Sequence, residues 1–447
     1  MGKYFGTDGF RGEANVYLTV EHAFKIGRYL GWYYGKEHKC RIVIGKDTRR
    51  SSYMFEYALA SGITASGADA YLLHVTTTPS VAYIVRTDLF DCGIMISASH
   101  NPYYDNGIKL INSRGEKMSE SIIADIEAYL DGQIGELPLA TRETIGRTVD
   151  YSEGRNRYTG YIISLAKNSY RGIKVGLDSA NGSTWMLAKN IFDTLGAETY
   201  VIGNTPNGFN INMGCGSTHI EALQQFVKDN NLDIGFAFDG DADRCLAVCE
   251  NGDVLTGDHI LYICGKYMKN EGKLSKNTVV STVMSNMGLY RALENENITS
   301  VQTDVGDKYV YEAMKNEGYS LGGEESGHII FSKYASTGDG LITAIKLMEV
   351  YMDKKLLASK LSDGFTRFPQ MTVNIKVEDK DAVMVDPDIL NEKHRAEVIL
   401  NNNGRVLLRK SGTEPVIRVM VEPESDSLCE ETANKFADVI RAKYEVK

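Results

Sequence analysis

Three stretches of this 447-residue chain repeat one rhythm, and that rhythm constrains the fold more than any other feature. A short apolar strand runs into a polar or glycine-bearing loop, and a helical pattern follows. In the first, RIVIG (41–45) leads to KDTRRSS and an amphipathic stretch over 53–64. In the second, IKVGLD (173–178) leads to SANGS and a helical run over 184–195. In the third, TVVSTV (278–283) leads to MSNMG and then LYRALENEN. Continuous apolar strands alternating with helices predict parallel sheets covered on both faces. Such folds bind ligands at loops leaving the carboxyl ends of their strands. The three stretches share a pattern rather than residue identities.

The end of the chain reads differently. TVNIKV (372–377) precedes a helical pattern over 386–400, two strand-like runs, RVLLRKS and VIRVMVE, and a closing helix over 426–443. The order β-α-β-β-α predicts a small α+β domain with an antiparallel sheet. The chain is thus expected to divide at 1–150, 151–255, 256–368 and 369–447, with PQM (369–371) as a hinge.

Composition narrows the function. Lys and Arg total 49 against 59 Asp and Glu, a net charge of −10. That balance excludes coating nucleic acid or an anionic membrane, both of which need a basic face. Seven cysteines without a C-x-x-C pair read as reduced thiols. No apolar run approaches 18 residues, and the opening MGKYFGTDGFRG has no stretch of signal-peptide character, so a cytoplasmic protein is expected.

DIGFAFDGDADRC is the most informative segment. IGFAF is a strand, and Asp239, Asp241 and Asp243 follow at every second position. In an extended backbone these three carboxylates share a face, and they stay ionised together only around a cation. An all-carboxylate oxygen site favours Mg²⁺ over zinc. A calcium loop would need Gly where Arg244 stands, and helices rather than strands on either side. An acidic turn in solvent is the plain alternative.

GIMISASHNPYYDNGIK places Ser99 and His100 in a second loop after an apolar strand, with Lys109 beyond. The serine reads either as a turn residue or as a phosphoryl-accepting nucleophile among cations. In RKSGTEPVIR, Ser411, Gly412 and Thr413 form a tight turn between Arg409 and Arg418. Hydroxyls, consecutive amides and guanidinium forks suit a phosphate; a simple hairpin turn is the alternative. GGEESGH (322–328) is a polar loop bearing Glu324 and Ser326, which alone reads as exposed. FGTDGFRG is a glycine-rich turn with Arg11. Neither a P-loop nor a dinucleotide fingerprint occurs, so ATP and NAD are not expected.

Four motifs, SASHNP, DGDADR, GEESGH and RKSGTEP, together resemble the α-D-phosphohexomutase superfamily, in its order and over nearly the whole chain. Within it YFGTDGFRG, VGDKYV (305–310) and SGTEPVIRVMVE are most similar to the phosphoglucosamine mutases. The resemblance implies three similar mixed α/β sandwich domains plus a smaller C-terminal α+β domain around a central cleft. It implies a phosphoserine at Ser99 and Mg²⁺ held by Asp239, Asp241, Asp243 and that phosphoserine. Glu324 and Ser326 would hold sugar hydroxyls, with Asp307 also toward the substrate. Arg409, Ser411, Gly412, Thr413 and Arg418 would grip its phosphate, and Arg11, His100, Lys109 and Arg244 would line the transfer site. The general base would be Lys109 or His100. The implied reaction interconverts glucosamine 6-phosphate and glucosamine 1-phosphate through a 1,6-bisphosphate, feeding UDP-N-acetylglucosamine synthesis. Phosphomannomutase or phosphoglucomutase activity, or a Mg²⁺-dependent phosphosugar phosphatase, are the alternatives. The partners expected are phosphosugars, without nucleic acid or membrane, and a homodimer stays open.

Overall fold

In the computed structural model, which describes residues 2–401, 403–411 and 415–446, each repeated stretch becomes one four-stranded unit. In the first, Arg41–Lys46 lies between Asp69–Val75 and Cys92–Ile96, all parallel, and Asp105–Asn112 returns antiparallel beside Cys92–Ile96. In the second, Lys174–Asp178 lies between parallel Glu198–Ile202 and Ile234–Phe238, with Cys245–Cys249 returning. In the third, Thr278–Thr282 lies between parallel Thr299–Thr303 and Leu321–Gly323, with Ile329–Phe331 returning. The sheets are therefore mixed: three strands are parallel, as the apolar runs require, and the fourth closes a hairpin. Further strands widen the first sheet to seven and the second to five, while the third has four.

Burial explains the strand pattern. Cys92–Ile96, Ile234–Phe238 and Thr278–Thr282 are buried at every position, so both faces are covered and no polar alternation survives. All seven cysteines are free and buried, which fits reduced thiols. None of the described helices is long and apolar enough to cross a membrane.

The shared topology also fixes the functional geography. In all three units the hairpin between the third and fourth strands leaves from the carboxyl end of a parallel strand. Those hairpins hold Ser99, the three aspartates, and Glu324 with Ser326.

By compactness the chain forms two units, Met1–Met284 with Ile298–Asp363, and Ser285–Asn297 with Gly364–Lys447. The second has a three-stranded antiparallel sheet in the order Met371–Lys376, Val416–Pro423, Gly404–Lys410. Its core packs Ile375, Ile417 and Val419 against Phe436 and Ile440 of helix Asp426–Tyr444. Helix Met287–Asn295 belongs to this unit. The fully buried Glu422 carboxylate accepts from Asn286 Nδ2 at 3.2 Å, the Met287 amide at 3.3 Å and Arg405 Nε at 2.6 Å.

Candidate active site

The nucleophile loop starts from two buried side chains of the first strand-to-helix loop. Asp47 and Arg49 are both fully buried and paired at 2.9 Å. Asp47 accepts from Ser97 Oγ at 2.6 Å, and Ser97 Oγ accepts the Ser99 amide at 3.0 Å. Arg49 donates to the carbonyls of Ser99, Asn101 and Pro102. Asn212, from the second sheet's domain, donates to the first two of these at 2.9 and 3.1 Å. This clamp holds Ser99 at φ +52°, a conformation disfavoured for a side-chain-bearing residue. The Ser99 hydroxyl is buried and donates to Asp239 Oδ2.

The acidic loop is gripped as firmly. Thr78, Ser183 and Gly340, one from each α/β domain, donate backbone amides to the carbonyls of Asp241, Gly240 and Ala242 at 2.9–3.0 Å. A Cβ at Gly240 would stand 2.4 Å from the Ser99 carbonyl, so only glycine lets the two loops approach. Oxygens of Asp239, Asp241 and Asp243 converge within 4.8 Å of one another, and all three residues are buried, which excludes the solvent-exposed acidic turn. Burial, then Asp243 and Asp241, push the Asp239 pKa well above the usual carboxylate range. Oδ1 of Asp241 and Oδ1 of Asp243 are buried and accept no hydrogen bond among the described residues. Orphaned oxygens in so close a carboxylate cluster fit an oxygen-binding cation.

Cations surround this loop. Lys109 Nζ lies 2.7 Å from Asp241 and 3.2 Å from both Asp243 and Asp8. Burial opposes its charge, but these carboxylates outweigh burial and hold its pKa well above the usual lysine value. Lys109 is therefore an ammonium without a lone pair. His100 Nδ1 sits 3.3 Å from Ser99 Oγ. Burial, then Arg244 and Arg11, lower the His100 pKa to about 4, which makes it the neutral nitrogen beside the hydroxyl. Arg11 pairs with Asp8, and the Arg244 amide donates to Asp239 at 3.2 Å.

Six side chains close a ring around one wall of a cavity of about 800 Å³. From Lys109 it passes to Asp243, to His328 at 3.8 Å, to Asp307 at 3.7 Å, to Lys117 at 2.7 Å, to Asp8 at 3.3 Å, and back to Lys109. Burial lowers the His328 pKa, while Asp243, Asp307 and Glu324 outweigh it and draw it up to about 9. The Gly338 amide nitrogen lies 3.0 Å from Nε2.

The GEESGH loop is half-buried rather than exposed. Glu324 Oε1 accepts the Gly306 amide at 3.1 Å, and Ser326 Oγ is buried without a hydrogen-bond partner among the described residues. Burial raises the Glu324 pKa. In the second unit, Arg409 and Arg418 face each other across two strands. Burial and then Arg418 lower the Arg409 pKa. Like charges directly opposed are unfavourable, and an anion between such groups relieves them. Ser411 closes the hairpin with its amide on the Val416 carbonyl at 3.0 Å; Gly412 and Thr413 lie outside the described residues.

Models of the phosphoglucomutase/phosphomannomutase domains match in order. The α/β/α domains I, II and III match residues 2–134, 156–252 and 256–368, and the C-terminal domain matches 373–439. The chain belongs to this family. It is similar to the phosphoglucosamine mutase of Lachnospira eligens, at 64% identity over 446 residues and 99% of each chain. Among solved structures, a phosphoglucomutase/phosphomannomutase family protein of Burkholderia thailandensis superposes with a TM-score of 0.80 at 24% identity, over 98% of this chain and 97% of that one. Aspergillus fumigatus N-acetylphosphoglucosamine mutase, in complex with GlcNAc-6P and magnesium, superposes with a TM-score of 0.71 at 19% identity, over 98% and 95%. Both likenesses speak for the fold.

Within this phosphohexomutase fold the first unit brings Arg11, Ser99, His100, Lys109, the three aspartates, Arg244, Asp307, Glu324 and Ser326 into its three-domain body. Sequence reasoning passed over Asp8, Lys117, Arg49, Asn212 and His328. Asp8 sat in the quoted FGTDGFRG turn and Arg49 in the quoted KDTRRSS loop, but an acid beside glycine and an arginine before a helix look like surface residues. Lys117 and Asn212 had no local signal.

Proposed function

We propose that this chain interconverts glucosamine 6-phosphate and glucosamine 1-phosphate through a phosphorylated Ser99 and a 1,6-bisphosphate. The observation that carries the reading is the Ser99 hydroxyl, held in a strained loop and hydrogen-bonded into a buried three-carboxylate cluster. The 64% identity to a phosphoglucosamine mutase supports the amino-sugar substrate.

Asp239, Asp241 and Asp243, with phosphorylated Ser99, would hold Mg²⁺, consistent with their oxygen-only donor set. When bound, the ion neutralises charge on the transferring phosphoryl group. Phosphoserine gives its phosphoryl group to the sugar's free hydroxyl, whose proton leaves with a nearby base. The bisphosphate turns over and returns its other phosphoryl group to Ser99. Lys109 and the guanidinium groups of Arg11 and Arg244 supply fixed positive charge to the equatorial oxygens. The role assigned to Glu324 and Ser326 is to orient sugar hydroxyls. Arg409, Ser411, Gly412, Thr413 and Arg418 would anchor the phosphate that is not being transferred.

Incubation with glucosamine 6-phosphate and Mg²⁺, followed by ³¹P NMR, tests this. Appearance of glucosamine 1-phosphate with little inorganic phosphate is the expected result. Inorganic phosphate without the isomer would replace the mutase with a phosphatase.

A further inference from the structure

Two side chains hold the backbone of the nucleophile loop, and they come from different domains. Arg49 Nη2 donates to the Ser99 and Asn101 carbonyls, both at 2.9 Å, and Nη1 donates to the Pro102 carbonyl at 2.6 Å. Its charge is paired with Asp47 of the same loop, so Arg49 fixes the shape of the Ser99 loop within the first domain. Asn212 Nδ2 reaches the same Ser99 and Asn101 carbonyls from the second domain, at 2.9 and 3.1 Å. Among the described residues, no other group of that domain donates to the backbone of 97–102.

Asn212 is itself built firmly into the second domain. It is buried, and its φ of +58° is one that asparagine adopts more readily than most residues. Its amide donates to the Ala180 carbonyl at 2.8 Å, and the Ser183 amide of the same turn donates to the Gly240 carbonyl at 2.9 Å. Gly240 follows Asp239, which accepts from the Ser99 hydroxyl. A closed circuit thus runs from Ser99 through Asn212, the 180–183 turn and the acidic loop back to Ser99. Its last link is temporary. Once Oγ carries a phosphoryl group it has no hydrogen left to donate to Asp239, whereas the carbonyl bonds to Asn212 are untouched.

We infer that Asn212 is a positioning residue that keeps the Ser99 loop in register with the acidic loop whether or not the serine is phosphorylated. This rests on the phosphoryl-transfer reading of Ser99. Asn212 acts through the serine's backbone, so the step it governs is transfer rather than sugar binding. Removing its side chain orphans neither carbonyl, because Arg49 still serves both, and folding therefore loses little. The Thr48 hydroxyl is its counterpart. It also crosses between these two domains, to the Asn181 carbonyl at 2.5 Å, but it starts from the first strand-to-helix loop and not from the serine's. Its loss leaves that carbonyl without a donor among the described residues.

The test measures kcat, KM and thermal melt with glucosamine 6-phosphate and Mg²⁺ in wild type, Asn212→Gly and Thr48→Val. Glycine keeps the backbone conformation at 212 and removes only the donor. In Asn212→Gly, kcat and the single-turnover transfer from phosphoserine to sugar are expected to fall together by roughly 100-fold, with KM and melting temperature nearly unchanged. In Thr48→Val the melting temperature is expected to fall by a few degrees, with kcat nearly unchanged. Wild-type kcat in Asn212→Gly would overturn the proposal, as would a loss carried by KM or a melting temperature lowered as far as in Thr48→Val. Equal losses of kcat in the two variants would also overturn it, because docking of the domains rather than placement of the serine would then be at work. A wild-type enzyme that forms no glucosamine 1-phosphate would overturn the phosphoryl-transfer reading itself.

Discussion

The acidic loop at 239–244 and the GEESGH loop at 324–328 occupy the same place in two copies of one topology, yet they are held in opposite ways. The first has three of its carbonyls bound by amides from three domains and its aspartates buried around orphaned oxygens. The second is half-buried; its Glu324 accepts one backbone amide, and its Ser326 hydroxyl has no partner among the described residues. One scaffold thus provides a rigid seat for charge and a looser one for hydroxyls. Phosphoryl transfer depends on alignment, whereas a sugar that must be held in two orientations needs contacts that can be made and remade.

The difference can be broken at the rigid end first. Gly240→Ala forces a Cβ against the Ser99 carbonyl, and backbone cannot yield as a side chain tip can. A displacement of the acidic loop is expected to lower kcat by about 100-fold with a smaller change in KM, which steady-state kinetics will resolve. An unchanged kcat would mean that the two loops need no fixed spacing. At the looser end, Glu324→Gln keeps the shape and removes the charge. It is expected to lower kcat/KM roughly 10-fold or more, largely through KM; a loss confined to kcat would place Glu324 with the reacting groups instead. Ser326→Ala removes a hydroxyl that has no partner among the described residues, so its thermal stability should be unchanged or slightly raised, with only a few-fold rise in KM. A marked drop in melting temperature would show the hydroxyl to be structural.

The same contrast explains what could be read from the amino acids. The three aspartates were legible because all their donors lie in one extended run after a strand, so spacing alone brings them together. The repeated strands were legible because burial on both faces erases alternation. The mixed character of the sheets was not evident in the repeats themselves, since Asp105–Asn112 and its counterparts lie beyond them and are as buried as the parallel strands. Lys117 and Asn212 were invisible for a different reason. Lys117 meets Asp307 across 190 residues of sequence, and Asn212 meets Ser99 across 113. Each stands in a stretch with Asn and Gly that suits a turn.

The account stands on Ser99 as the carrier of the phosphoryl group. Enzyme labelled with ³²P should show one phosphate by intact mass, absent from Ser99→Ala. Mixed with glucosamine 6-phosphate for a single turnover, it should pass the label from protein to a sugar bisphosphate. Label that stays on the protein, or that leaves as inorganic phosphate, would contradict the account.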